Sequence, residues 1–214
     1  MHVYAYLQTR SELVQWCFVK AVEIVQDPKI IAVLADPVRK EIVRLTTLRP
    51  MTETQLAKKL ALTKSSTAHH LKILRNAMLI KIEKTEVGKH GILEKYYSPR
   101  AALFIEDWEK IPPNLKRYFL HGQMERLKGI LSVIQLARDK RGEVIELTSE
   151  MLEELAEDMA KKIVVIAKRY EKQELSMNRE MLHIKIYSET LAEITKEKKW
   201  QGILALKDTR RHTG

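Results

Sequence analysis

Between about residues 28 and 77, apolar positions recur every three or four residues, a spacing that predicts a series of short helices. An Asp-Pro pair begins each of the first two predicted helices. Asp27-Pro28 and Asp36-Pro37 both place an acidic N-cap before a proline at the first helical position. The second helix is expected to end near Leu48-Arg49-Pro50.

Two further helices follow across a very short turn. Thr52 and Gln55 form a capping box, in which each side chain accepts a hydrogen bond from the other residue's backbone N–H. After the turn at residues 61–62, Thr63 is placed to cap a helix that runs from about residue 64 to residue 77. At 100° per residue, the core-facing stripe of that helix comprises Thr67, Leu71, Leu74 and Met78.

The spacing then changes to that of strands. Residues 79–87 are rich in β-branched side chains, residues 88–91 are turn formers, and residues 92–97 predict a second strand, with Pro99 closing the unit. Three helices, a turn, a helix and a hairpin are the order of a winged helix-turn-helix, predicted between about Pro28 and Pro99.

A long helix is predicted beyond Pro112-Pro113, ending at Arg141-Gly142. Its apolar positions are spaced alternately four and three apart, which is a heptad seam. The seam belongs either to the core of the chain or to a dimer interface, and we favour the dimer because a DNA-binding unit needs two half-site readers. Its residues are Leu120, Met124, Leu127, Leu131 and Ile134.

The remaining pattern mixes a helix with two strands. Residues 144–147 predict a short strand, and residues 181–187 alternate as a second strand, with Ser188 capping a last helix. Thr148 is placed to cap a helix over residues 149–172, with the stripe Leu152, Leu155, Met159, Ile163, Ile166 and Tyr170. The fold class expected is mainly α with small β, and the second half is a helical or α/β part for dimerisation or sensing.

Charge is distributed unevenly along the chain. Residues 1–100 hold 17 Lys and Arg against 9 Asp and Glu, whereas residues 101–214 hold 21 against 19. A local basic excess indicates a polyanionic partner for the first half. On the predicted fourth helix, the face opposite the core stripe collects Ser65, His69, Lys72 and Asn76, which are able to reach base edges and phosphates. The hairpin adds a basic wing with Lys81, Lys84, Lys89 and His90.

Three segments resemble ArsR-type winged-helix repressors. They read LADPVR at residues 34–39, LTKSSTAHHLKIL at residues 62–74 and EKYYSP at residues 94–99. The second half is broadly similar to that of longer archaeal members with a helical dimerisation part. The resemblance implies a homodimer on a pseudo-palindromic operator, with contacts from Lys64, Ser65, Ser66, Ala68, His69 and Lys72. From the predicted wing we add Lys84, Lys89 and His90.

Metal sensing is not expected, although metal-sensing members of that family carry paired cysteines at the start of the first helix of the helix-turn-helix, or carboxylate and His sets on a terminal helix. Residues 52–60 contain neither Cys nor His. His69 and His70 are neighbours that point about 100° apart on a helix, a poor chelating geometry. His70 is expected to be a packed structural residue, and no metal or other cofactor is predicted.

Other classes of function lack a pattern. Cys17 is the single cysteine, so there is no disulfide framework. No apolar run reaches the roughly 18 residues of a membrane span, and residues 1–20 lack signal-peptide features, so no membrane partner and a cytoplasmic location are expected. No phosphate loop or catalytic pair is found, which argues against an enzyme. A charged fraction of 31% fits a thermophilic source.

Four parts are expected along the chain. Residues 1–22 form an extension that packs loosely, so a chain starting near Val22 should still bind DNA. Residues 23–100 form the DNA-binding domain, residues 114–206 form the dimerisation or effector part, and residues 207–214 form a basic tail. The predicted function is a sequence-specific regulator of transcription, most simply a repressor, with no effector named. The alternative is a winged-helix protein-interaction module, which would lack a basic wing.

Overall fold

The computed structural model describes residues 20–88, 91–140, 142–173 and 178–204. Short 3-10 helices lie at Trp108–Lys110 and Lys168–Tyr170. The strands are β1 (Lys20–Val25), β2 (Met51–Thr52), β3 (Ile80–Val87), β4 (Leu93–Pro99) and β5 (Ala101–Glu106). The helices are α1 (Pro28–Leu34), α2 (Pro37–Leu48), α3 (Glu53–Leu60), α4 (Lys64–Asn76), α5 (Pro113–Asp139), α6 (Ser149–Ala167), α7 (Arg179–Ile194) and α8 (Lys198–Leu204).

The predicted helix starts are confirmed by their caps. Asp27 accepts a hydrogen bond from the Lys29 N–H at 2.8 Å, and Asp36 accepts one from the Arg39 N–H at 2.9 Å. The capping box at the start of α3 has both of its hydrogen bonds, at 3.1 and 3.2 Å. Further caps at Thr63 and Thr148 begin α4 and α6.

Helices α1 to α4 surround one apolar cluster, and a three-stranded antiparallel sheet in the order β2-β4-β3 backs them. The cluster includes Ile31, Ile42, Leu56, Leu71 and Leu74, all nearly or fully buried. In the sheet, Met51 and Ile82 both pair with Tyr97, and the register shifts between Ile82 and Lys84. The winged helix-turn-helix architecture is therefore present, and Pro99, buried at the end of β4, closes it as expected.

A parallel pair of strands, β1 and β5, corrects the expected N-terminal boundary. Lys20 pairs with Ala101 and Val25 with Glu106, so the boundary expected at residue 22 falls inside β1. Val22 is fully buried, and the expectation of loose packing was wrong for residues 20–22. Residues 1–19 lie outside the described part. Both faces of the pair are covered, which removes the alternation that would have marked these strands in the sequence.

Helix α6 is the centre of the second half. Its predicted stripe, from Leu152 to Tyr170, is confirmed as buried throughout. The first part of that stripe packs against α5 and α8, and the later part packs against β1, β5 and α7. Ala160, between the two parts, belongs to the cluster of the helix-turn-helix. One helix therefore contacts all three apolar clusters of the described chain.

The prediction of two strands in the second half was wrong. Residues 143–148 form no strand, and Val144 is exposed. Residues 181–187 lie in α7, which Asn178 caps through the Met181 N–H at 2.8 Å. The buried positions of α7 are four apart, at Leu182, Ile186, Thr190 and Ile194. Alternating apolar residues such as the exposed Ile184 concealed that spacing, and the second half is helical.

Ser188 does not cap a last helix. It lies inside α7, where its hydroxyl donates to the Lys185 carbonyl oxygen at 2.9 Å. The predicted tail at residues 207–214 and Arg141 lie outside the described residues.

The heptad seam of α5 faces the interior of its own chain. Leu127, Leu131 and Ile134 are 0%, 6% and 8% exposed, and they pack with Leu155, Met159 and Trp200 in one cluster. Leu120 and Met124 are half-buried against the same cluster. The stripe is thus the internal seam of the two alternatives, and the expectation of a dimer seam does not hold for it, because α6 and α8 already occupy the space beside it.

Helix α4 ends in a left-handed turn at Met78. The Met78 φ is 59°, and the Leu79 N–H bonds back to the Leu74 carbonyl oxygen at 3.0 Å, as in a Schellman motif. The Met78 side chain is 57% exposed, so its predicted place in the core stripe was wrong.

We expect Met78→Gly to raise the free energy of unfolding by about 0.5–1 kcal/mol, because glycine adopts a positive φ without the steric cost of a Cβ. The control is Met78→Ala, which removes the same exposed side chain but keeps the Cβ. Urea unfolding measures both variants. An equal gain in the alanine variant, or a loss in the glycine variant, would contradict the assignment.

Candidate nucleic-acid interface

The turn between α3 and α4 sets how the two helices cross. Ala61 adopts a left-handed conformation with φ 53°, and the Leu62 N–H bonds to the Ala57 carbonyl oxygen at 3.0 Å. The Ala61 N–H bonds to the same oxygen. Ala57 is 6% exposed, so its methyl group fits where a larger side chain would push the second helix away. A small residue at this position is what two helices crossing over a short turn require.

Burial fixes which side of α4 faces outward. Thr67 and Leu74 are fully buried, Leu71 is 2% exposed, and the Thr67 hydroxyl donates to the Thr63 carbonyl oxygen at 3.0 Å. The opposite face is therefore held toward solvent. Its four predicted members are all exposed: Ser65, His69, Lys72 and Asn76.

The residues assigned to recognition through the resemblance lie together on this helix. Lys64, Ser65, His69 and Lys72 are exposed, and the remaining two, Ser66 and Ala68, are half-buried. Within the described residues, neither Lys64 nor Lys72 forms an ion pair, so both charges are available to an anionic partner. Lys58 and Lys59 of α3 and Arg75 of α4, which sequence reasoning did not select, are also exposed and form no ion pair in the described part of the chain.

His70 lies at the edge of the core stripe. It is half-buried, and its ring meets that of His69 edge to face at a centroid distance of 6.0 Å. Its Nδ1 is buried and has no hydrogen-bond partner among the described residues. This location fits the packed residue expected from the sequence, with one edge of the ring against His69 at the border of the exposed face.

The wing carries its own counter-charges. Lys84 Nζ lies 2.7 Å from Glu86 Oε1 and 4.8 Å from the centre of the Tyr96 ring. The hydrogen bond to Glu86 raises the pKa of Lys84, and the same bond lowers the pKa of Glu86. Lys81 pairs with Glu83 at 2.8 Å. The wing is thus less basic than a count of its lysines predicts.

Two of the predicted wing residues, Lys89 and His90, lie outside the described residues. The strand ends on either side are apolar and open to solvent, which sequence reasoning missed: Val87 is 71%, Ile92 66% and Leu93 65% exposed. Val87 pairs with Leu93 in the hairpin register, so these side chains lie together. The sequence does contain a sign of this apolar tip: the turn-forming residues 88–91 are flanked directly by the aliphatic residues Val87, Ile92 and Leu93.

No group of three or more His, Cys, Asp or Glu side chains in the described residues is arranged to hold a metal ion. Nor is any described helix both long and apolar enough to cross a membrane.

Comparison with known families identifies the region around this face. Residues 34–83, from the end of α1 to the middle of β3, match the family model described as a helix-turn-helix domain. The chain carries a helix-turn-helix DNA-binding domain. Domains of this family include those of ArsR-type regulators, and their role is regulatory rather than enzymatic. A search of curated proteins gave no match.

If the wing contacts DNA beside the helix-turn-helix, the Glu86 carboxylate should lower the affinity for DNA, since it pairs with Lys84. Because Glu86 holds Lys84, Glu86→Gln should free that cation for a phosphate and strengthen binding by about two- to threefold at low salt, whereas Lys84→Gln should weaken it. Glu153→Gln removes an equal charge from an exposed site on α6 and serves as control. Fluorescence anisotropy with labelled duplex DNA measures all three. Equal strengthening by the control would mean that net charge alone, and not the Lys84 pair, sets affinity.

Proposed function

We propose that this protein is a sequence-specific regulator of transcription, an ArsR-type repressor that binds a pseudo-palindromic DNA operator as a homodimer. The observation that carries the proposal is the outward face of α4. Its polar side chains are exposed, its lysines have no ion-pair partner in the described chain, and the helix is fixed by the helix-turn-helix packing.

The face has the chemistry of a recognition helix. Ser65, His69 and Asn76 are donors and acceptors of the length that reaches base edges in a major groove. Lys64 and Lys72 supply cations for phosphates or for guanine acceptors. They lie over about three turns of helix, which is the stretch that a groove can accommodate.

The three segments that resemble ArsR-type repressors differ in what they do here. Arg39 of the first donates to the Val33 carbonyl oxygen at 2.6 Å and so ties α1 to α2. Tyr97 and Ser98 of the third are buried in β4, where the Ser98 hydroxyl donates to Glu83 at 2.7 Å. Only the second segment contains the recognition face, so it is the segment that supports DNA binding directly.

A homodimer needs a surface other than the buried seam. At 100° per residue, the side of α5 opposite the seam presents Tyr118, Gly122, Gly129, Val133 and Leu136. Val133 and Leu136 are 69% and 65% exposed. A Cβ at Gly122 or Gly129 would meet no atom within 4 Å, so nothing in the described chain requires glycine there.

Glycine inside a helix costs about 1 kcal/mol relative to alanine, and two of them on one exposed face suggest that something approaches closely. A second copy of α5 is the partner we propose, because a pseudo-palindromic operator needs two recognition helices related by a two-fold axis.

A second candidate function is a protein-interaction module. The exposed apolar wing tip, formed by Val87, Ile92 and Leu93, favours it, since such a cluster suits a protein partner. That function predicts no dependence on the α4 cations, which separates it from DNA binding.

DNA binding is tested by selecting a preferred duplex from a random pool and comparing variants on it. His69→Ala should cost about 1–3 kcal/mol on the selected duplex and little on random DNA, because base contacts carry sequence information. Lys72→Gln should weaken binding to every duplex and reduce the salt dependence by about one ion.

Lys198→Gln, at an exposed position on α8, is the charge-matched control and should change neither affinity. If the wild-type protein bound no duplex, or bound all sequences alike, the proposed function would be wrong. If His69→Ala and Lys72→Gln weakened all sequences equally, the assignment of base and phosphate contacts would be wrong.

The dimer is tested by two pairs of substitutions on α5. Val133→Lys with Leu136→Lys should give a folded monomer with unchanged helical circular dichroism, because these side chains have no cover in the described chain. Leu127→Glu with Leu131→Glu should unfold the chain, because those side chains lie in its core. Sedimentation of the wild type and both pairs decides it. A wild-type monomer at tens of micromolar, or an intact dimer with the lysine pair, would overturn the proposed interface.

A further inference from the structure

A cavity of about 410 Å³ lies where the helix-turn-helix meets the second half of the chain. Its walls come from α2, β5, α5, α6 and α7, so residues from both halves face the same space. Its volume falls within the range of small-molecule binding sites.

One part of the wall is aromatic and aliphatic. Phe104, Phe119, Tyr187 and Ile163 line it, together with the buried Trp108. Tyr187 meets His183 edge to face at a centroid distance of 4.6 Å, and its hydroxyl lies 3.4 Å from Gln123 Oε1. A flat apolar ligand would find ring faces and edges here, as pockets for drug-sized molecules usually provide.

The charged part of the wall has more cations than anions. Four basic residues line the cavity against two carboxylates, Glu41 and Glu106. Both carboxylates are already engaged: Arg44 contacts Glu41 at 2.6 Å, and Lys40 contacts Glu106 at 3.2 Å. The remaining cations are Arg126 and Arg179.

These two arginines differ in their partners. Arg179 contacts Glu180 at 2.7 Å and donates to the Ala102 carbonyl oxygen at 3.2 Å. Arg126 has no carboxylate within ion-pair distance among the described residues, and it is exposed at the edge of the cavity. The Arg126 guanidinium is therefore a cation without a counter-charge beside an aromatic wall.

The charges of both arginines act on the pKa of His183. Burial lowers its pKa, and the positive charges of Arg179 and Arg126 lower it further. This direction is the one expected where the positive field of the two arginines reaches the imidazole, and the nearby Glu180 carboxylate offsets that field only in part. An anion placed between these groups would be stabilised by that field.

We propose that this cavity binds a small amphipathic anion, with a planar apolar body against Phe119 and Tyr187 and one carboxylate, sulfonate or phosphate group held by Arg126. Binding would be communicated to DNA through α2, and this second step rests on the proposed function.

Helix α2 is suited to that step because it serves both sites. Its Lys40, Glu41 and Arg44 line the cavity, and its fully buried Ile42 lies in the same cluster as Leu71 and Leu74 of α4. A ligand that binds one position of α2 more tightly than another shifts the equilibrium between those positions by its difference in binding free energy, and the shared cluster transmits the change to α4.

The probes for the test are 8-anilinonaphthalene-1-sulfonate and its uncharged relative N-phenyl-1-naphthylamine. The two share the aromatic body and differ by the sulfonate. Titration followed by fluorescence should show one saturable site per chain for the sulfonate. Arg126→Gln should weaken the sulfonate by about tenfold, the size expected for a lost charge-assisted hydrogen bond, and should leave the neutral probe unchanged. Arg117→Gln, also exposed on α5 but outside the cavity wall, should bind both probes like the wild type.

Equal affinity of Arg126→Gln and wild type for the sulfonate would overturn the site, as would equal weakening in Arg117→Gln or no saturable binding at all. At a concentration near its wild-type Kd, the sulfonate should also change the affinity of the wild type for its selected duplex and have a much smaller effect on that of Arg126→Gln, which is then occupied to only about one tenth. An unchanged wild-type affinity would overturn the coupling. A protein that binds the sulfonate but no DNA would refute the proposed function and leave the site standing.

Discussion

The burial of α6 is the interaction on which the rest of the structure depends. Its stripe supplies side chains to two of the apolar clusters, and its Ala160 enters the third, the core of the helix-turn-helix. Trp108, just after β5, is 3% exposed and donates its indole N–H to Glu157 of α6 at 3.3 Å. Because cores are close-packed, a shift of α6 would be felt in every cluster at once. The exposed face of α4 and the cavity are therefore both held by one helix, which lines the cavity through Ala160 and Ile163 but contributes no residue to that face.

Local chemistry explains what the sequence predicted well. Caps such as Asp36, Thr52 and Thr63 act through neighbours two or three residues away, so the starts of α2, α3 and α4 were readable from short stretches. The orientation of α4 followed from the spacing of Thr67, Leu71 and Leu74, which the structure buries. The exposed face of the candidate site could be predicted for the same reason, since it is the complement of that stripe.

Most of the predictions that were wrong concerned elements whose partners are distant in the chain. β1 and β5 have both faces covered, and neither alternates in the way an exposed sheet does. The seam through Leu127 and Leu131 has the same spacing whether its partner is α6 or a second copy, so periodicity alone did not decide between them. The apolar wing tip depends on the pairing of Val87 with Leu93, which a count of charges does not contain. The ion pair of Lys84 with Glu86 is local to β3 and was missed because the charges were counted without regard to their spacing.

The pairing of β1 with β5 has a consequence for the order of folding. The chain places β1 before the helix-turn-helix, yet the Ala21 N–H bonds to the Gln173 carbonyl oxygen, which follows α6. During synthesis the first strand therefore leaves the ribosome long before the residues that cover it. Such long-range pairing is slow to form, and an apolar strand that waits for its partners is open to association with other chains. The helix-turn-helix is thus preceded by a strand that is fully covered only when most of the chain has been made.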